Sequence, residues 1–473
     1  MLGVDDYGIF VVVGGIVGML SFLNSAMASS TQRHLSFSLG TGSLDKLRSV
    51  FANSIILHII IGFLLVIVLE IAGMYLLNNE LKIAPDRLPA ANLLFHFVVF
   101  STFISVISVP YNAVLNAHEN MLFLSFTDIL DSLLRLLIAL SLYITPYDPL
   151  LTFGLLLVAN NLIIRAIKWS YCRRKYAECT VRLRREADKE LMKELGSFAG
   201  WNLFGVLAAV FRNQGIAVVL NLFFGTFVVA AYGIANQVNS KLLLFTTNMM
   251  QSIRPQIMKS EGAGDRARML RLTVLAGKFS FYIFSILFIP VYIEMPALLN
   301  LWLKEVPEGA VIFCRLIMVL TLINQLSQGI MVAVQAIGRI RTYQAVAGSL
   351  LLLTLPIGYV LLDRGYPPHY VLWAAIFIEV TTTVFRIIYF EYISGHRIRL
   401  FVTENLLMPA LPFSIALGSA MLLHHIGLPP IARGILVLTV PVLLYLPLIY
   451  VLGTNRTEKK HIVEVVNAIK RRI

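Results

Sequence analysis

Thirteen stretches of about twenty or more mostly apolar residues, separated by short polar segments, run along the 473 residues of the chain. A helix of about 20 apolar residues crosses a bilayer core about 30 Å thick, so each stretch is long enough to span a membrane. The pattern predicts an all-α, polytopic helical membrane protein with about thirteen transmembrane helices. The predicted spans are 8–31, 50–77, 92–116, 121–144, 150–171, 198–222, 226–251, 272–293, 309–337, 343–362, 370–392, 406–425 and 433–452.

The composition points to the same class. Hydrophobic residues make up 58% of the chain and charged residues 14%, with a mean hydropathy of +0.79, whereas soluble domains contain about 25% charged residues. The three cysteines, Cys172, Cys179 and Cys314, have neither metal-ligand nor redox spacing. We expect inert thiols and no cofactor.

The distribution of Lys and Arg predicts the orientation. If 32–49 is cytoplasmic, the loops on its side hold 26 of the 39 Lys and Arg residues and the opposite loops hold four. Cytoplasmic loops carry such an excess, so the C-terminus is predicted to be cytoplasmic. The net charge of +13 is then a topology signal, and no nucleic-acid partner is expected.

Two short motifs occur twice and indicate an internal repeat. Tyr7-Gly8-Ile9 recurs as Tyr232-Gly233-Ile234, and the segment 38–42 (SLGTG) recurs as 260–264 (SEGAG). The offsets of 225 and 222 predict two pseudo-symmetric helical lobes. The second copy follows a full apolar span, 198–222, whereas the first begins at Met1, so the repeat predicts a first lobe without the matching helix.

The repeat and the charge runs predict four regions. These are an N-terminal lobe (1–171), a basic cytoplasmic linker lying on anionic lipid (172–197), a C-terminal lobe (198–405) and a last region (406–473). The last region holds two extra transmembrane helices and a cytoplasmic amphipathic tail, in which Ile462, Val466, Ile469 and Ile473 have helical spacing.

Charged residues inside spans are the functional candidates, because each costs about 2.5–3.5 kcal/mol to insert unless it faces protein or water. Arg212 lies deep in its span with no acidic residue on the same helix. It is expected either to bind an anionic group in a hydrated cavity or to pair with another helix. Lys241, in an unusually polar span, is a second cavity candidate. Lys278 lies nearer a span end, where snorkelling is expected.

Two further groups combine opposite charges on one helix. Asp131 and Arg135 have ion-pair spacing, and Asp128 lies on the same face. They form either a structural pair or, through Asp128 and Asp131, a site for a coupling proton or sodium ion. Glu379 and Arg386 are two turns apart on one face, which favours a structural pair, with Glu379 as a third ion-coupling candidate.

Several segments resemble those of bacterial polysaccharide flippases of the multidrug/oligosaccharidyl-lipid/polysaccharide exporter superfamily. The matching segments are 2–10 (LGVDDYGIF), 24–42 (NSAMASSTQRHLSFSLGTG), 109–113 (VPYNA), 117–119 (AHE), 231–235 (AYGIA) and 254–257 (RPQI). Members of this family have a full helix before the LGVDDYGIF segment. The resemblance implies either a truncated or mis-assigned start, which we favour, or repacking of the remaining helices.

The resemblance implies a bundle of two lobes around a central cavity that opens alternately inward and outward in a bacterial inner membrane. Its cargo would be an undecaprenyl-pyrophosphate-linked oligosaccharide, for surface polysaccharide or lipopolysaccharide biosynthesis. Arg212 would border the cavity, followed by Lys241, while Arg135 is weaker because Asp131 already neutralises it. Membrane lipids and polysaccharide-assembly proteins are the expected partners.

Two other functions remain open. A multidrug or organic-cation antiporter of the same superfamily would need a cavity dominated by acidic residues, yet Arg212 and Lys241 are basic. A non-transporting component of a polysaccharide-assembly complex is the second alternative. An enzyme is not expected, because the chain has neither a Walker motif nor a large external loop.

Overall fold

The structure is a computed structural model, and it describes residues 3–18, 21–180, 186–426, 429–456, 458–460 and 464. All regular structure in these residues is helical. The first helices are α1 (Val4–Gly18), α2 (Ser21–Thr41), α3 (Leu44–Tyr75), α4 (Leu88–Ala117), α5 (Met121–Ser141), α6 (Pro149–Lys175) and α7 (Lys189–Gly262). The remaining helices are α8 (Arg266–Ile293), α9 (Met295–Trp302), α10 (Ala310–Gln325), α11 (Gln328–Ile337), α12 (Ile340–Asp363), α13 (Tyr370–Ser394), α14 (Ile398–Val402), α15 (Met408–His425) and α16 (Pro430–Leu448). Short π-helical turns follow α3, α14 and α16.

The predicted class, a polytopic helical membrane protein, is confirmed. Nine helices of the described chain are long and apolar enough to cross a membrane, or eleven if the bent pairs α1–α2 and α10–α11 each count as one span. The two remaining predicted spans are also helical. One is part of α7, which contains both 198–222 and 226–251, and the other is α5, which has 21 residues but carries three charged side chains.

Local chemistry explains where several helices begin and break. Gly225, with φ +74° and ψ −169°, interrupts the 74-residue α7 between the two spans that the sequence predicts there, because a glycine adopts this backbone conformation without a steric penalty. The Asp148 side chain caps α6 by accepting hydrogen bonds from the amides of Leu150 and Leu151. Pro149 follows at the first helical position, where no amide hydrogen is needed.

The helices pack into two compact units. The first unit comprises Met1–Val206 and Met258–Asp265, and the second comprises Leu207–Ile257 and Arg266–Ile473. The four regions that the sequence predicts stay a prediction. The linker residues Arg182, Arg184 and Arg185 and the tail residues Ile462, Val466, Ile469 and Ile473 lie outside the described residues.

In the first unit the two copies of the repeated glycine motif contact each other reciprocally. A Cβ added to Gly40 would overlap the carbonyl oxygen of Lys259, and one added to Gly262 would overlap that of Phe37. The offset of 222 makes Gly40 equivalent to Gly262 and Phe37 equivalent to Lys259. Reciprocal contacts between equivalent residues are what a two-fold axis produces, so this crossing supports the internal repeat.

Candidate functional site

A buried carboxylate on α13 organises the polar interior of the second unit. Glu379 accepts a hydrogen bond from Nη1 of Arg212 at 3.0 Å through Oε2 and one from Nη1 of Arg386 at 2.9 Å through Oε1. Asn324 Nδ2 donates to Oε1 at 2.8 Å. We call Glu379, Arg212, Arg386 and Asn324 the Glu379 cluster.

The residues of the cluster come from three helices, α7, α10 and α13. Glu379 and Arg386 share one face of α13 because they are seven residues, or two turns, apart. Arg212 comes from α7, whereas Asn324 lies near the end of α10, where the chain bends by 43° before α11. At that bend Ser327 accepts a hydrogen bond from Arg386 at 2.8 Å, and Gln328 donates to Oδ1 of Asn324 at 2.7 Å.

The charges of the Glu379 cluster do not cancel. Two guanidinium groups face one carboxylate, which leaves one positive charge in surplus inside an apolar unit, where an uncompensated charge is expensive. The Arg386 Nε–H is also buried without a hydrogen-bond partner. The side chain of Arg212 keeps 11% of its surface exposed, against 4% for Arg386 and 1% for Glu379. Arg212 is therefore the charged group of the cluster that an anion could reach first.

The candidate residues of the second unit lie in different environments. Arg212 has the partner on another helix that the sequence left open as an alternative, and Glu379 and Arg386 form the pair that their spacing favours. Lys241 is exposed on the second half of α7. Within the described chain it has no ion pair, so its ammonium is available to a ligand.

The remaining candidates lie in the first unit on α5. Arg135 Nε donates to Asp131 Oδ2 at 2.9 Å, and Asn160 of α6 donates to the other oxygen of Asp131. Asp128 is largely exposed, with Lys168 Nζ at 4.0 Å from its Oδ1. Arg135 and Asp131 therefore neutralise each other, while Asp128 keeps most of its carboxylate open.

Two features of the second unit were missed by the sequence reasoning. The polar run at 324–328 inside an apolar span (NQLSQ) was the available signal for Asn324 and Ser327. Lys278 does not snorkel, contrary to the expectation. It is fully buried on α8 and donates to both carboxylate oxygens of Glu458, at 2.8 and 3.1 Å. Glu458 lies beyond the last predicted span, so no pattern on one helix could reveal this pair.

At one end of the first unit Arg87 joins three helices. Its guanidinium donates to Asp6 on α1 and to Asp148, the cap of α6, while Arg87 itself immediately precedes α4. The hydrogen bond with Asp148 is the main reason why the pKa of Arg87 is raised and that of Asp148 lowered. An open cavity of about 840 Å³ lies beside this cluster, between α1 and the segment 81–87.

We searched the described part of the chain for side chains that could bind a metal ion. No group of three or more His, Cys, Asp or Glu side chains is placed there so that it could hold a metal ion.

Comparison with known proteins supplies the family context. A family model described as "Polysaccharide biosynthesis protein" matches residues 1–261, more than half of the chain. Among curated proteins, none is similar enough in sequence to match.

Solved structures of transporters share this fold. An outward-facing multidrug resistance MATE family transporter of the MOP superfamily superposes with a TM-score of 0.71 at 13% identity, covering 83% of this chain and 89% of its own. For a Pyrococcus furiosus MOP superfamily transporter, described as having a binding pocket of reverse polarity, the TM-score is 0.70 at 13% identity, with coverages of 83% and 89%. A mutant of the Vibrio cholerae MATE transporter VcmN superposes with a TM-score of 0.70 at 16% identity, and the match covers 85% of this chain and 91% of the VcmN chain. At such identities the likeness establishes the shared fold alone.

Proposed function

The chain belongs to the polysaccharide biosynthesis protein family and has the fold of MOP superfamily transporters, and from this premise we propose that it flips an undecaprenyl-pyrophosphate-linked oligosaccharide across a bacterial inner membrane. The lipid-linked glycan moves from the cytoplasmic to the periplasmic leaflet by alternating access. The protein acts as a transporter and not as an enzyme.

The surplus positive charge of the Glu379 cluster is the observation that carries this proposal. A pyrophosphate loses hydration when it leaves the headgroup region, so its charge must be offset by the protein. Hydrogen bonds from Arg to phosphate oxygens are among the stronger ones, because both partners are charged. Arg212, the most exposed charged member of the cluster, makes the first contact in this proposal, and the exposed Lys241 makes a second. Arg135 is a weaker candidate because its guanidinium is already paired with Asp131.

Coupling to an ion gradient belongs to the same proposal. Asp128, whose carboxylate is largely exposed, is the favoured carrier of a coupling proton or sodium ion. Asp131 and Glu379 already accept hydrogen bonds from cationic side chains, so their carboxylate oxygens are less available to a coupling ion.

Replacement of Arg212 tests the proposal in cells that depend on this protein for their surface glycan. In Arg212→Ala the pair of Glu379 and Arg386 remains neutral, so the variant should fold. A lost charge-assisted hydrogen bond of about 1.5–3 kcal/mol corresponds to a decrease of about tenfold or more in function. Arg212→Lys should recover part of the activity because it restores the charge without the planar geometry. Lys241→Ala should reduce it less.

The matched control is Arg364→Ala, which removes the same charge from an exposed helix end and should leave the surface glycan unchanged. Membrane abundance and thermal unfolding of every variant separate loss of transport from loss of protein. Full surface glycan with Arg212→Ala would rule out the cationic site. Loss of resistance to an organic cation upon Asp128→Asn, with normal glycan, would instead favour the antiporter.

A further inference from the structure

A groove in the first unit, distinct from the Glu379 cluster, lies between the start of α5 and the end of α6. It is an open cavity of about 700 Å³. Phe123, Ala166 and Ile167 form its apolar part, and Ser170, Tyr171, Arg174 and Lys175 form its polar part. We call it the α5–α6 groove.

The aromatic wall of the groove is held in place by several contacts. The Phe123 and Tyr171 rings stack with centroids 3.6 Å apart, and Asn120 Nδ2 donates to the hydroxyl groups of Tyr171 and Tyr176 at 2.8 and 2.9 Å. Lys175 Nζ lies 2.8 Å from the Tyr171 hydroxyl. The position of one cation is thereby fixed against a preformed aromatic surface.

The basic residues of the groove have no carboxylate partner among the described contacts. Glu178 pairs with His118, and the cation 4.0 Å from the exposed carboxylate of Asp128 is Lys168, which does not line the groove. Arg174 is exposed, and the contacts of Lys175 within the described part of the chain are with Tyr171 and Tyr176. The groove therefore presents two positive charges and two hydroxyl groups to an incoming ligand.

The depth of the groove along α6 identifies the ligand class. Ala166 and Arg174 are eight residues apart, or about 12 Å along a helix axis. The apolar part thus lies one to two turns farther into the apolar span than the charges, and Trp169, Tyr171 and Tyr176 mark the level at which interfacial aromatic residues collect. A ligand that fills the groove needs an anionic head and an apolar chain attached to it.

We propose that the α5–α6 groove binds one anionic phospholipid, with its phosphate between Arg174 and Lys175 and an acyl chain over Phe123, Ala166 and Ile167. A freely diffusing phosphate would satisfy the charges and leave the apolar part empty. The complementarity of both parts favours the lipid, and the proposal does not depend on the identity of the transported cargo.

The test is a titration of the purified full-length protein in detergent with phosphatidylglycerol, followed by thermal unfolding and by native mass spectrometry of bound lipid. Wild type should bind one phosphatidylglycerol in preference to phosphatidylcholine. Each basic side chain near an anionic lipid contributes roughly fivefold in affinity, so Arg174→Ala/Lys175→Ala should weaken binding about twentyfold. Ala166→Trp fills the groove at unchanged charge and should also abolish the bound lipid.

Arg173→Ala is the matched control. It removes the same charge one residue away, where the guanidinium lies 5.3 Å from the centre of the Trp169 ring and outside the groove. It should change the affinity clearly less than Arg174→Ala does, because its guanidinium does not line the groove. An equal loss for Arg173→Ala and Arg174→Ala would indicate diffuse attraction to anionic lipid and overturn the proposal. Unchanged binding in Ala166→Trp, equal binding of phosphatidylcholine, or full displacement by inorganic phosphate would each do the same.

Discussion

Glu379 is the residue on which the electrostatics of the second unit depend, because it is the carboxylate between Arg212 and Arg386. Glu379→Gln would leave two buried guanidinium groups without a counter-charge. Breaking a buried ion pair in this way costs about 3–5 kcal/mol, so the variant should unfold at a clearly lower denaturant concentration in detergent. The exposed Glu305→Gln should unfold like the wild type. If the two variants behave alike, Glu379 does not hold the cluster together.

For these residues, one contact could be predicted from the sequence and another could not. The pairing of Glu379 with Arg386 follows from a spacing of two turns on one helix. The partner of Arg212 is 167 residues away, and nothing in the periodicity of one helix specifies which neighbour it faces. Depth in an apolar span predicted that Arg212 needs a polar environment, whereas the identity of that environment depends on packing.

At the scale of helices, the close crossing of α2 with the end of α7 predicts that glycines differ sharply in how well they tolerate replacement by alanine. An alanine Cβ at Gly262 would overlap the Phe37 carbonyl oxygen, and one at Gly40 would lie 2.9 Å from the Ala263 amide nitrogen. Because backbone atoms cannot move aside as side chains do, Gly40→Ala and Gly262→Ala should each lower the free energy of unfolding by about 1–3 kcal/mol.

Gly200→Ala is the control for this prediction. It lies on the same long helix as Gly262 and has no neighbouring atom within 4 Å of an added Cβ. The substitution should be neutral or should stabilise the protein by up to about 1 kcal/mol, because alanine favours the helix. If Gly262→Ala and Gly200→Ala have the same free energy of unfolding, α2 and α7 do not approach each other closely at Gly262.

The junction of α1, α4 and α6 at Arg87 predicts a pH dependence. The hydrogen bond from Arg87 lowers the pKa of Asp148. A lowered carboxyl pKa contributes stability above the pKa of the unfolded chain, about 3.9, and the contribution is lost as the pH falls through the lower folded-state value. The difference in unfolding temperature between wild type and Arg87→Gln should therefore shrink between pH 5 and pH 3.

Asp148→Asn is the partner variant, because an asparagine keeps the cap of α6 but loses the charge that Arg87 contacts. It should show a weaker pH dependence than wild type and still form α6. A difference between wild type and Arg87→Gln that stays constant down to pH 3 would contradict the role of the Asp148 carboxylate.

For the whole molecule, hydropathy predicted the class and the helical spans because the bilayer imposes one length on every crossing. It also placed a break between 222 and 226, where Gly225 interrupts α7. The bend between α10 and α11 within the single predicted span 309–337 was not anticipated. A polar run inside an apolar span indicates an irregularity there, but not whether the helix bends.

The orientation of the molecule decides which leaflet supplies the cargo, and the excess of Lys and Arg in one set of loops predicts it. The test places single cysteines at Asp86 and at Glu190, both exposed, in a chain whose three buried cysteines are replaced by alanine. In intact spheroplasts a membrane-impermeant maleimide should label Asp86→Cys, and it should label Glu190→Cys only after permeabilisation. The reverse pattern would put the basic end of α6 outside. Since lipid-linked oligosaccharides are supplied from the cytoplasm in the proposed function, that result would also remove the basis for its direction of transport.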